Sequence, residues 1–162
     1  MLFRSVIDNA NADNELFNIE ELCMEKLYLA VPRDRAINRK CAGFALKAED
    51  IRTNSEKLFS DECINLSMFK KERFILRNNN DSNYNLIKKI CRAAGFSPDV
   101  VLESNNTDTI FSFVVSGLGV AFIPDTYIKF TDIPNHPVYY SLGDSETEKY
   151  IKLIYKKNKS KK

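Results

Sequence analysis

Two short clusters of small polar residues hold the side chains best suited to grip a ligand: Asn78, Asn79, Asn80 and Ser82 in the first, Asn105 and Thr107 in the second, with Pro124 further along. Amides and hydroxyls orient a polar molecule by hydrogen bonds but supply neither a nucleophile nor a general base, so their chemistry is binding rather than catalysis. The same residue types also cap helices, and both roles stay open at this point. Arg77, just before the first cluster, reads as a surface charge at a strand end in preference to an anion anchor. The single histidine, His136, on which any Ser-His-Asp triad or His-containing metal site would depend, sits between Asn135 and Pro137 and reads as a loop residue. Gly117-Leu118-Gly119 follows a helix and precedes a strand, the reverse of the order in which a glycine loop offers a helix N-terminus to phosphate, so it reads as a tight turn. No cofactor is expected.

The elements that position these clusters are legible from residue 72 onward. Residues 73–77 form an apolar strand, the Asn/Asp/Ser cluster supplies N-caps, and Leu86, Ile87, Ile90, Cys91 and Ala94 follow at helical spacing until Gly95 and Pro98 end the helix. The pattern repeats through Val100–Glu103, residues 104–107, Ile110–Val115 and Gly117, and Val120–Ile123 closes the unit as a third strand at Pro124. Strands alternating with helices of this length imply parallel strands and right-handed crossovers. In such a sheet ligands sit beyond the carboxyl ends of the strands, which is where both polar clusters fall. Elsewhere, Met24–Pro32 reads as a buried strand, Leu2–Ile7 and Leu16–Leu22 as further candidates, and residues 33–71 as an insertion-like connection of moderate order. Residues 125–130 read as a helical turn, and Val138–Leu142 and Tyr150–Tyr155 as strands returning to pair with the early ones.

The 162 residues suit one medium domain or two small lobes, able to bury roughly 70% of the unfolded surface. With 44% apolar and 28% charged residues the composition is that of a soluble globular chain, and no apolar run approaches the ~20 residues of a membrane span. The opening residues carry too short an apolar stretch for a secretory leader. Cys23, Cys41, Cys63 and Cys91 match neither zinc spacing nor a dense disulfide framework, and read as reduced thiols packed like small apolar residues. The net charge of +2 arises from seven lysines after residue 148; without them residues 1–148 carry −5. An acidic body with a solvated basic tail argues against nucleic-acid contact by this chain itself.

Three segments carry a family resemblance: Met24–Pro32 as a charged start, apolar run and terminal proline; Leu66–Leu76 as a leucine-turn-strand entry; and Ser116-Gly117-Leu118-Gly119-Val120-Ala121-Phe122-Ile123-Pro124 as helix end, Gly-x-Gly, apolar strand and proline. In these the chain resembles the effector-binding domain of LysR-type transcriptional regulators over roughly residues 1–155. The resemblance implies an α/β fold of two lobes, periplasmic-binding-protein-like (type 2). Residues 1–71 are then a partial first lobe, 72–124 a complete second lobe, and 125–162 a return to the first lobe with a basic tail. It also implies a small-molecule effector between the lobes, held by Asn78, Asn79, Asn80, Ser82, Asn105, Thr107 and Pro124. Further implications are a homodimer, a cytoplasmic setting without membrane contact, no catalysis, and DNA binding only through a winged helix-turn-helix that this chain lacks, which makes a fragment the expectation. A stand-alone solute-binding protein of the same fold, or a small α/β enzyme, are the rival readings.

Overall fold

The computed structural model describes residues 3–7, 16–59, 63–79, 81–143 and 147–157. In chain order its elements are β1 (Phe3–Ile7), β2 (Phe17–Val31), α1 (Ile37–Lys40), α2 (Ala48–Arg52), β3 (Arg73–Leu76), α3 (Ser82–Ala93), β4 (Asp99–Glu103), α4 (Thr107–Val115), β5 (Ala121–Pro124), α5 (Asp125–Phe130), β6 (Val138–Tyr140) and β7 (Glu148–Lys156). The end of β2 explains the layering. Its side chains alternate between two cores, Leu27, Leu29 and Val31 entering one and Tyr28 and Ala30 the other. A strand apolar at every position needs cover on both faces. β3 and β5 divide alike: Phe74, Leu76 and Phe122 join the first core, Ile75, Ala121 and Ile123 the second. Ile87, Ile90 and Cys91 of α3 close the first core; Ile110, Phe111 and Val114 of α4, with Ile51 of α2 and Ile128 of α5, close the second.

β3 and β4 pair in parallel, and a parallel bridge from Phe74 to Val120 on the other edge of β3 leads into β5. Because β4 and β5 flank β3, right-handed crossovers carry α3 and α4 over opposite faces. The unit anticipated at residues 72–124 is therefore present, but its sheet does not stop there. β5 pairs antiparallel with Leu27–Ala30 of β2, whose opposite edge receives β6 at Leu29–Val31. The preceding half of β2 pairs instead with β7, which also pairs with β1.

Three expectations change. The separate strands foreseen at Leu16–Leu22 and Met24–Pro32 are one strand of 15 residues, because the register slips between Glu21 and Cys23 and the exposed half loses its apolar pattern there. Residues 33–71, expected as an insertion-like connection of moderate order, contribute to both cores: Cys41, Ile51 and Phe69 are fully buried, and Leu46 bridges Tyr139. Their apolar residues sit in turns of three to five residues, too short to show a period. Finally, Cys41 and Cys91 pack as small apolar residues, but Cys23 and Cys63 are exposed. Leu2, the polar stretch Asp8–Asn14 and the lysines at 159, 161 and 162 lie outside the described residues.

Both helices of the 72–124 unit end as their glycines foretell. Phe96 N–H donates to Cys91 O at 3.1 Å and Gly95 N–H to Arg92 O at 3.0 Å; Leu118 and Gly117 make the corresponding pair at the end of α4. Gly117 has φ +85°, which side chains other than glycine's adopt at a cost. Gly119 is required for a different reason: a Cβ there would lie 2.6 Å from Arg73 O, so only glycine lets β5 approach β3 closely enough to pair.

The one histidine does lie in the loop before β6, but it is buried and wired into the fold. Arg52 on α2 donates to His136 Nε2 at 3.0 Å and to Thr131 O at 2.7 Å. A guanidinium only donates, so Nε2 accepts and the ring proton sits on Nδ1, 2.7 Å from Tyr139 Oη. Burial, then the charges of Arg52 and Arg33, hold the imidazole pKa below its ordinary 6.5. The unfolded chain thus binds a proton that the folded chain refuses, and folding stability rises with pH across that interval. The stabilisation is complete above pH 6.5 and is lost as pH falls toward the lowered value. Urea unfolding at pH 7.5 and 5.5 should show the drop, and His136→Gln should flatten it; an unchanged pH slope in the variant would contradict the assignment.

Candidate functional site

The carboxyl ends of β3 and β5 open onto a cavity of about 740 Å³. Its walls come from both parts of the sheet. Ile75 and Arg77 follow along β3, Asp81, Asn83 and Thr107 stand at the starts of α3 and α4, Thr126, Tyr127 and Phe130 descend from α5, and Glu25 and Lys149 project from β2 and β7. The placement follows from the topology, because strand ends and helix N-termini converge there and leave a crevice.

Arg77 ties the two helix starts together. Its Nε donates to Asp81 Oδ2 at 2.5 Å, one terminal nitrogen to Thr107 Oγ1 at 2.8 Å, and the other to the Asn105 carbonyl at 2.8 Å. Read from sequence as a surface charge, it is a half-buried strap across the mouth of α3 and α4. The helix caps are Asp81, whose Oδ1 accepts from Asn83 N–H at 2.8 Å, and Asn106, whose Oδ1 accepts from Thr109 N–H at 3.0 Å.

The seven residues singled out from sequence fare unequally. Thr107 and Pro124 line the cavity. Asn105 is exposed and contributes its carbonyl to Arg77; Asn79 is exposed; Asn78 accepts the Asp81 N–H through its carbonyl in the turn before α3. Ser82 is the first residue of α3, and Asn80 lies outside the described residues. The sequence reading favoured neutral side chains, whereas the cavity wall is largely apolar and carries four charged residues, Glu25, Arg77, Asp81 and Lys149, beside its hydroxyls and one amide.

Glu25 and Lys149 were missed. Glu25 is only 4% exposed and Lys149 9%, and they face each other across the β2–β7 ladder. By sequence Lys149 belongs to the solvated lysine tail; in the structure β7 runs to Lys156 and buries it. The available signal was Glu25 two residues before the apolar run Leu27–Val31 of β2, but nothing local reveals that a second strand brings a lysine opposite. Thr126 Oγ1 donates to Glu25 Oε1, and Lys149 Nζ donates to Asn83 Oδ1. Behind them Asp125, also buried, accepts from Lys26 N–H at 2.9 Å and from Lys129 Nζ at 2.7 Å, which fixes the start of α5.

Tyr127 reaches Asp108 Oδ1 at 2.7 Å, and burial, then that carboxylate, push its phenol up to about 12. It stays protonated and serves as a donor. Among the described residues no group of His, Cys, Asp and Glu is arranged to hold a metal ion, and no helix is long and apolar enough to cross a membrane. The arrangement can orient a small polar molecule through fixed charges and hydroxyls.

The family model of the LysR substrate binding domain matches residues 6–161. Among curated proteins, the uncharacterized HTH-type transcriptional regulator YcgK of Bacillus subtilis (strain 168) is 24% identical over 151 residues, covering 91% of this chain and 44% of that protein. The HTH-type transcriptional regulator XapR of Escherichia coli (strain K12) is 29% identical over 72 residues, covering 44% of this chain and 24% of XapR. The chain thus spans less than half the length of either relative. Among solved structures, the regulatory domain of Synechocystis PCC6803 CcmR in complex with 2-PG superposes with a TM-score of 0.66 at 14% identity, over 98% of this chain and 65% of that one. A likeness at that identity establishes the shared α/β, periplasmic-binding-protein-like fold.

Proposed function

Because the chain belongs to the LysR substrate-binding domain family, we propose that it is the sensing part of a transcription regulator, with an effector held in the cavity at the ends of β3 and β5. The observation that carries this reading is the composition of the cavity wall. Charged and hydroxyl side chains from α3, α4, α5, β2 and β7 all face one space, so a bound molecule touches the parallel-strand unit and the β1–β7–β2 part together. A ligand that contacts both can shift their relative arrangement by as much as its affinity differs between the arrangements. The CcmR domain, solved with 2-PG, belongs to the same fold and supports a small-molecule role.

In this reading the parallel-strand unit is one lobe, the β1–β7–β2 part belongs to the other, and β2 crosses between them. The output is altered DNA binding by a winged helix-turn-helix outside this chain, in a cytoplasmic homodimer, and no catalysis is involved. A metabolite screen by thermal shift tests the reading, since a ligand at 100 times its dissociation constant adds ~2.7 kcal/mol to stability. For any binder found, Arg77→Ala and Thr107→Val should weaken affinity about 10- to 100-fold, because each removes a hydrogen-bonding group from the cavity mouth. Unchanged affinity in both variants would move the site elsewhere.

A further inference from the structure

The helix that forms one side of the cavity cannot hold its own end. With six residues α5 leaves its last carbonyls without helical partners, so outside donors have to meet them. The start of α5 is fixed by Lys26 N–H on Asp125 and by Thr126 on Glu25, and its middle by Tyr127 on Asp108. The end rests on Arg52 of α2, whose Nε donates to Ile128 O at 3.2 Å and one of whose terminal nitrogens donates to Thr131 O at 2.7 Å. Phe130 and Thr131, at that end, both line the cavity. The same terminal nitrogen also donates to His136 Nε2 at 3.0 Å, so both of its hydrogens are in use. One guanidinium nitrogen thus joins the cavity wall to the chain's single histidine.

The groups facing the imidazole are Arg52 from α2, Arg33 from the turn after β2, Asp132 from the loop after α5 and Tyr139 from β6, with the Phe111 ring of α4 edge-on at 5.7 Å. His136 also lines a second cleft of about 450 Å³, beside Arg33, Ser116 and Asn135, which gives solvent a route to the ring. Nδ1 already carries the proton shared with Tyr139, so a second proton has to enter at Nε2, the atom that accepts from Arg52. Two donors and two positive charges then meet at 3.0 Å, with Arg33 adding a third charge and Asp132 opposing them from an exposed position. Resting on the reading of the cavity as the effector site, we propose that His136 is a proton-operated latch on that site: a proton at Nε2 displaces Arg52, frees the end of α5 and loosens the cavity wall at Phe130 and Thr131, so that effector is held less firmly in acid. His136 touches no ligand in this scheme; it is a positioning residue that acts through Arg52.

The test follows the 162-residue chain by NMR with no ligand present, so its outcome is independent of whether the cavity binds an effector. The imidazole of the single histidine gives one titration curve. Thr131 N–H, which donates to Tyr127 O at 3.0 Å and closes the last turn of α5, reports the latch; Ala94 N–H, which donates to Ile90 O at 3.0 Å at the end of α3, reports global opening. As pH falls through the His136 titration, the exchange protection of Thr131 should drop about 10-fold, the loss of one hydrogen bond to a charged group, and Ala94 should drop by less. His136→Gln, whose amide oxygen still accepts from Arg52 but does not titrate, should keep Thr131 protected throughout, and Arg52→Ala should leave it unprotected at every pH. Level protection of Thr131 while His136 titrates overturns the proposal. So does an equal drop at Ala94, which would be global loosening, or the same drop in His136→Gln, which would place the response in another group. In each of those cases the effector reading stands or falls separately, on the metabolite screen.

Discussion

Leu29→Ala is expected to cost roughly 2–5 kcal/mol of folding stability, the range for deleting a fully buried leucine side chain. Leu29 is 0% exposed, packs in the first core with Phe74 and Phe122, and lies where β2 carries partners on both edges, Phe122 on one and Tyr140 on the other. Neither edge can relax inward to fill the space without breaking its ladder, which places the expected loss toward the upper part of the range. Seven residues earlier on the same strand, Leu22 is 56% exposed. Leu22→Ala should stay within about 0.5 kcal/mol, as surface substitutions usually do. Urea unfolding of the two variants separates the halves of β2, and similar losses in both would contradict the division of this strand into an exposed half and a doubly covered half.

Phe74→Ala should cost about 3–5 kcal/mol, a large share of the 5–15 kcal/mol by which domains of this kind are stable. Phe74 is 0% exposed at the middle of β3, and its ring lies 5.9 Å from that of Phe96. Phe96 is the residue that folds back to cap α3, so truncation removes core volume and the packing that holds the helix end. Arg77 begins immediately after β3, and a strand free to shift carries that strap with it; the variant should therefore bind effector more weakly as well. Val101→Ala on β4, where Val101 is 38% exposed, is the control and should leave both stability and binding near their starting values. An unchanged slope of stability against urea in Phe74→Ala would show that the loss lies in the native core rather than in the compactness of the unfolded chain.

These two substitutions bracket the cavity through its supporting strands, whereas Arg77, Glu25 and Lys149 act at its surface. The distinction has a practical reading. A variant that lowers stability and affinity together acts through the frame, and one that lowers affinity alone acts through contact with the ligand. The pH response of His136 belongs to the frame too, because Arg52 bonds both the imidazole and the carbonyls of Ile128 and Thr131 at the end of α5, the helix that supplies Thr126 and Tyr127 to the cavity.

What could be read from sequence was what local physics decides. The helical period of Leu86–Ala94, its stop at Gly95, the second helix ended by Gly117 and the buried strand ended by Pro124 are each set by hydrogen bonds and φ preferences within a few residues, and each is found in the structure. So was the edge where strand ends meet helix starts, since these alternate along the chain. Thr107 and Pro124 come from that reasoning. The charges on the cavity wall do not. Glu25 meets Lys149 because strands separated by more than a hundred residues pair in one particular register, and Arg77 reaches Thr107 because β3 and β4 lie side by side. Register and strand order are settled by burial of two cores at once, a property of the whole molecule. Local sequence settles where strand ends and helix starts alternate; only the pairing of distant strands brings the buried Glu25 and Lys149 opposite each other on the cavity wall.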